Sequence, residues 1–211
     1  MVEWGIASGD SMSFVAGFVD YDGDADPDFF VTNHWKSEAE FYRNEGGALF
    51  VEKSDHFVAP DRDRHDMLWG DLDNDGDPDQ YIVHGAGLPG THDNELYWNE
   101  GHGVLTEGGV AAGVADPDGR GREVTFADFN GDHWLDMFVV NDLRAGFVRP
   151  SVLFWNQGDG TFLRQPNTSL IFRSRQHVAS ADYDVDGDVD IITTDPPRWG
   201  EFWRNDGSGW T

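Results

Sequence analysis

The chain has 211 residues, 38% of them hydrophobic and 14% aromatic, enough to bury a substantial core in a single domain spanning 1–211. Its formal net charge of −26 excludes a nucleic-acid backbone as the main partner, because phosphate recognition needs a basic surface. There is no cysteine, which excludes disulfides and thiolate metal sites, and no apolar run near the roughly 18 residues of a membrane span, so no membrane insertion is expected.

The first element, "SFVAGFVD", is a short strand that runs into the acidic loop "DYDGDADPD" (Asp20–Asp28). A second strand, "DFFVTN", leaves the loop, and the β-branched and aromatic residues of both suit a pleated surface. The segment "FYRNEGGALFVE" follows as a third strand, an Asn/Gly hairpin turn and a fourth strand. The same succession then recurs. "DMLWGDLD" enters the loop Asp71–Asp79, "DQYIVH" leaves it, and "YWNEGHGVLTE" closes the unit. "EVTFADFN" leads to the loop Asp128–Asp136, then "DMFVVN" and "FWNQGDGTFLRQ". "HVASADYD" leads to Asp182–Asp190, then "DIITTD" and "FWRNDGSGWT". Loop starts are separated by 51, 57 and 54 residues, and no segment carries a long helical period.

Four strands per unit of about 54 residues is the blade of a β-propeller. The fold class expected is therefore all-β, a propeller of four four-stranded blades. The N-terminal "VEWGIASG" matches "TEGGVAAG" (106–113), so the N- and C-terminal segments are expected to complete one blade between them. A closed monomeric ring of four is the leading arrangement; a piece of a longer array, or a dimer making eight blades, fits the same spacing.

The loops carry 18 of the 30 aspartates, at matched positions. Carboxylates at positions one, three, five and nine, with a backbone carbonyl at seven and a sharp reversal at six, suit a hard cation with six to eight oxygen ligands, which is Ca²⁺ rather than Mg²⁺. Up to four ions are expected. The candidate metal residues are Asp20, Asp22, Asp24, Asp26 and Asp28; Asp71, Asp73, Asp75, Asp77 and Asp79; Asp128, Asn130, Asp132, Trp134 and Asp136; and Asp182, Asp184, Asp186, Asp188 and Asp190. The second and fourth loops should bind most strongly, because Gly76 and Gly187 stand at the reversal where the first and third loops have Ala25 and His133.

These loops, with "NQGDGTF" (156–162) and its looser copies, make the chain similar to the FG-GAP/VCBS repeat propellers, which include the calcium-binding blades of integrin α-subunits. The resemblance covers essentially the whole chain. It implies a propeller fold, structural calcium in the Asp loops, and an extracellular or cell-surface setting. It does not select among the recognition, adhesion, lyase-scaffold and electron-transfer roles such propellers serve.

On the face opposite the Asp loops the reading places nine of the twelve arginines and five of the eight histidines, among them Arg62, Arg64, His65, Arg120 and Arg122. Asn33, His84, Asn141 and Asp195, each five residues past a loop's last Asp, are expected to ring the channel mouth there. With Trp35, Arg144, His177, Arg198 and Trp199 they form a candidate ligand site for a sugar or an anionic group. The competing reading pairs these arginines with Asp61, Asp63, Asp66, Asp118 and Glu123. No serine-nucleophile elbow, phosphate loop or two-histidine zinc motif is present, so catalysis is not expected. The function that follows is a recognition or adhesion module for a glycan or an extracellular protein. The alternatives are a polysaccharide lyase or hydrolase acting through His84 or His177, or a scaffold blade set of a larger oligomer.

Overall fold

The computed structural model describes residues 12–34, 40–47, 49–56, 63–85, 93–142, 150–165, 176–194 and 200–211. Among these residues it is an all-β fold of four antiparallel sheets with no α-helix. Sheet 1 holds β1 (Met12–Val19), β2 (Asp28–His34), β3 (Glu40–Asn44) and β4 (Phe50–Glu52) in that order. Sheet 2 holds β5 (Arg64–Gly70), β6 (Asp79–His84), β7 (Glu95–Asn99) and β8 (Leu105–Glu107). Sheet 3 holds β9 (Gly121–Ala127), β10 (Asp136–Asn141), β11 (Val152–Asn156) and β12 (Phe162–Arg164). Sheet 4 has β13 (His177–Ala181), β14 (Asp190–Thr194) and β15 (Glu201–Trp203), and an antiparallel bridge between Asn205 and Trp210 starts its third hairpin. Every neighbouring pair is consecutive in sequence, so each sheet is a simple meander.

The sheets pack face to face in chain order through three apolar layers. Tyr21, Phe30 and Phe41 of sheet 1 meet Met67, Ile82 and Tyr97 of sheet 2. Tyr81 and Leu96 meet Met137, Val139 and Phe154 of sheet 3. Phe138 and Leu153 meet Ile191 of sheet 4. Each strand therefore alternates: one residue faces the preceding sheet and the next faces the following one, and both faces are apolar. No apolar cluster of described residues joins sheet 4 back to sheet 1. The expected closure through the chain termini depends on residues 1–11, which lie outside the described residues.

Two polar devices repeat between the sheets. The second-position carbonyl of one Asp loop accepts a bond from the asparagine of the following sheet: Asn99 Nδ2 to Tyr21 O at 2.7 Å, Asn156 to Leu72 O at 2.7 Å, and Asn205 to Phe129 O at 2.8 Å. In addition, an acid near the start of an inner strand accepts the backbone N–H of the next: Val124 N to Asp66 Oδ2 at 3.0 Å, and Val178 N to Glu123 Oε2. These bonds fix the offset of one sheet against its neighbour, which apolar packing alone does not.

Candidate metal centres

Each Asp loop folds around its first residue. Asp71 Oδ1 accepts the N–H of Asp75 at 3.1 Å and Oδ2 that of Gly76 at 3.1 Å. Asp20, Asp128 and Asp182 make the same pair of bonds to residues four and five positions on. The carboxylate at position five then accepts the N–H of position seven, as Asp75 does for Asp77 at 3.0 Å, so the chain spirals in a small radius. Such a spiral needs left-handed backbone conformations. Position six has them in all four loops, with φ of 69° at Ala25, 99° at Gly76, 72° at His133 and 101° at Gly187. Position four has them too, at Gly23, Asn74, Gly131 and Val185. Gly and Asn accept this conformation; Val185, β-branched with φ 62°, is strained.

The ninth aspartate ties the loop to its sheet. Asp28, Asp79, Asp136 and Asp190 are buried, and each accepts two backbone bonds. For Asp79 these come from Leu72 N at 2.9 Å and Asn99 N at 2.9 Å; the other three repeat the pattern through Asn44, Asn156 and Asn205. Burial lifts the Asp79 and Asp136 carboxyls to about 7 and Asp28 to about 6, against the pull of these N–H donors. Burial, then the charge of Asp24 or Asp75, also raises Asp22 and Asp73.

Three sets of carboxylate oxygens converge: Asp20, Asp22 and Asp28; Asp71, Asp73 and Asp79; and Asp182, Asp184 and Asp190, each within 4.8 Å of one another. Two oxygens that both ligate one ion at about 2.4 Å lie at most about 4.8 Å apart, so the spacing fits a Ca²⁺-sized cation, and an all-oxygen donor set suits a hard one. The third loop differs because Asn130 replaces the middle carboxylate and turns its amide onto Asp132 at 2.9 Å. At position seven, Asp26, Asp77 and Asp188 lie beside the hairpin glycines Gly46, Gly101 and Gly207, where an added Cβ would stand 3.0–3.2 Å from their oxygens. Trp134 instead lays its indole over Gly158.

Arginines from the third strands add a feature that the spacing does not reveal. Arg204 places Nε 2.8 Å from Asp184 and Nη2 3.0 Å from Asp186. The Asp188 N–H and Arg204 together hold the Asp186 carboxyl below its usual range. Arg43 lies 3.8 Å from Asp22. In the second loop the equivalent residue is Trp98, which carries no charge.

Most of the described residues expected on the opposite face fall into buried networks; His177 does not. β-Bulges at Arg64/Asp66 and Val140/Asn141 leave His65 and Arg122 as the extra residues of their strands and aim them at each other, with Arg122 Nη1 2.6 Å from His65 Nδ1. His65 also meets Asp63 at 3.0 Å, and its ring lies where a Cβ on residue 85 would be, so only glycine fits there. Arg64 is fully buried on Glu95 at 3.0 Å, with His84 Nε2 at 3.5 Å from the same carboxylate. Asn141 is buried and donates to Asp116 at 2.8 Å; Arg120 and Arg122 pair with Asp142. His177 is exposed beside Glu123. His84 and Asn141 thus lie inside the sheets; Arg64 pairs with Glu95, and Arg120 and Arg122 pair with Asp142, acids other than those anticipated from sequence proximity. Asn33 is the penultimate residue of β2; Arg62, Trp35, Arg144, Asp195, Arg198 and Trp199 lie outside the described residues.

The model of the FG-GAP-like repeat matches residues 20–82 and 83–139, more than half of the chain and three of the four Asp loops. The chain belongs to the FG-GAP-like repeat family. Its fourth repeat lies beyond the matched residues, yet repeats the same loop bonding and the same asparagine joint. FG-GAP repeats are typical of extracellular proteins, and no described helix is long and apolar enough to cross a membrane. A comparison with curated proteins finds no match.

Proposed function

We propose that this protein is a calcium-stabilised β-propeller module used for extracellular recognition or adhesion, with a carbohydrate or an extracellular protein as its ligand. The sheets are the blades of the propeller: each is a four-stranded meander, or the start of one, stacked on the next with its first strand innermost. The observation that carries the calcium reading is the convergence of Asp71, Asp73 and Asp79 within 4.8 Å at the end of a buried sheet. Asp20, Asp22 and Asp28, and Asp182, Asp184 and Asp190, would hold ions in the same way. When bound, the ion offsets repulsion among carboxylates whose backbone bonds already fix their geometry.

The recognition reading is supported by how the described histidines and arginines are used. Arg64 and Arg122 are engaged in buried ion pairs, and His84 and His65 in buried polar contacts beside them, which brace the sheets as structural rather than reacting groups. Ligand contacts then fall to the loops beyond the second strands, from Asn33, Trp35, Arg144, Asp195, Arg198 and Trp199.

Thermal melting with and without a chelator tests the metal. Calcium at 100 times its Kd adds about 2.7 kcal/mol per site, or roughly 5–10 °C for a domain of this size. An unchanged melting temperature removes the calcium reading. A glycan-array screen run with and without calcium then tests carbohydrate as the ligand.

A further inference from the structure

The three joints between consecutive sheets are built from the same parts, and the two ends of the chain expose one half of that joint each. Every joint has a socket on the earlier sheet, formed by the second residue of the Asp loop, the third residue of the second strand and a third-strand residue. In sheet 1 these are Tyr21, Phe30 and Phe41, all buried. The socket receives Trp69 from β5, whose ring centroid lies 6.2, 6.4 and 5.6 Å from theirs. In the second joint Phe126 of β9 takes the same place against Tyr81 at 6.5 Å. In the third, Ser180 stands there, and Trp203, at the repeat position of Tyr97 and Phe154, packs against the cluster that holds Phe138 and Leu153. Each socket is latched by the asparagine bond to the loop carbonyl.

Sheet 4 has the same socket, and no apolar cluster of described residues fills it. Tyr183, Ile192 and Phe202 are 56%, 44% and 44% exposed, while all nine of their counterparts in the other sheets are buried. Tyr183 and Phe202 already stand edge to face at 4.3 Å, as Tyr21 and Phe41 do at 4.6 Å, so the socket is formed before it is filled. Sheet 1 exposes the matching plug: Phe18, at the place of Trp69 and Phe126, is 68% exposed. Asn44, the latch of that sheet, is less buried than Asn99, Asn156 or Asn205.

We infer that the sheet 1 face of one copy docks into the sheet 4 face of a second copy, Phe18 entering the Tyr183/Ile192/Phe202 socket and Asn44 latching onto the Tyr183 carbonyl. Socket and plug lie on different faces of the chain, so the contact is head to tail. Two copies closing on each other make two such joints and a ring of eight sheets, within the range of propeller sizes. The occupant is a second copy because both halves of the joint are present in this sequence, and within one chain Phe18 and the Tyr183/Ile192/Phe202 socket are each left exposed rather than set against one another. The inference stands on packing alone and survives if the calcium reading fails.

Light scattering over a wide concentration range tests it on the full chain. The expected mass is twice the 23.6 kDa of one chain. Phe18→Asp and Phe202→Asp should each give single chains, since each destroys both joints of the ring. Mixed in equal amounts they should recover a pair, because one intact socket and one intact plug remain; neither variant alone should do so. A wild type that stays at single-chain mass throughout overturns the inference, as does a mixture that behaves like its components. Melting curves report whether the variants fold. If either does not, Phe18→Cys and Phe202→Cys replace them in this cysteine-free chain. Oxidation should cross-link the mixture and leave each variant alone uncross-linked, and equal cross-linking in all three samples overturns the head-to-tail contact.

Discussion

The Asp71–Asp79 and Asp182–Asp190 loops carry the same five aspartates and the same glycine, yet the fold places them in different surroundings. The second loop lies between two filled joints, with Leu72 buried beneath it and the neutral Trp98 beside it. Beside the fourth stand an exposed Tyr183, a strained Val185 and an arginine that ion-pairs with two of its carboxylates. Identical ligand spacing therefore does not give identical sites. What distinguishes them is the neighbouring strand and the adjoining sheet.

The largest expected effect probes the ninth position. Asp79→Ala leaves the buried N–H groups of Leu72 and Asn99 without acceptors, at about 1–3 kcal/mol each. Asp190→Ala strands the N–H groups of Tyr183 and Asn205, and Tyr183 is open to water. Chemical denaturation in chelator should show Asp79→Ala as the more damaging; equal losses would mean that the filled joint does not matter to the loop.

Acidity gives the next effect, with opposite signs in the two metal states. Without metal, the Asp79 and Asp136 carboxyls titrate near 7 and Asp28 near 6, above the ordinary 3.8 of an unfolded carboxyl. Between those values the folded chain holds more protons than the unfolded one. Metal-free stability should therefore fall as pH rises from about 4 to about 7 and level off above. Buried Asp66, also raised to about 7, acts in the same direction. Calcium needs the ionised carboxylate, so its affinity at the second loop should drop about tenfold per pH unit below 7. Calcium titrations at pH 5.5 and 7.5 check this, and a pH-independent Kd contradicts it.

Much of this fold was legible in the sequence because its determinants are local. A loop whose first aspartate accepts bonds from residues four and five further on is encoded within nine positions, and so are the strands on either side. The Gly, Asn and Gly at the fourth loop position are a readable sign of left-handed backbone there, as Gly76 and Gly187 are at the sixth. The inter-sheet roles were not legible. Asn99, Asn156 and Asn205 read as turn formers, and only the packing brings them onto a carbonyl 76 to 84 residues away. His65 and Arg122 read as surface cations because a bulge, which shifts the facing of a strand by one residue, leaves no fixed signal in composition. Arg204 stands just before the repeat's asparagine, where the other repeats have Arg43, Trp98 and Trp155, yet its reach to Asp184 depends on side-chain geometry.

The two remaining tests take away what separates the fourth loop from the second. Arg204→Gln removes a cation that competes for Asp184 and Asp186, and should tighten calcium at that loop by roughly two- to fivefold, the scale of an exposed ion pair. The smallest effect comes from Val185→Asn, which copies Asn74 of the second loop. Valine there has a β-branched side chain in the left-handed region, whereas asparagine tolerates that conformation and does not add the unfolded-state entropy of glycine. The exchange should raise stability in chelator by about 1 kcal/mol, read by denaturant unfolding. It should leave the second loop's calcium affinity unchanged, since Val185 is 86% exposed and belongs to another loop. If the substitution gains nothing, the strain is relaxed in solution, and the arginine and the open joint are what separate the two loops.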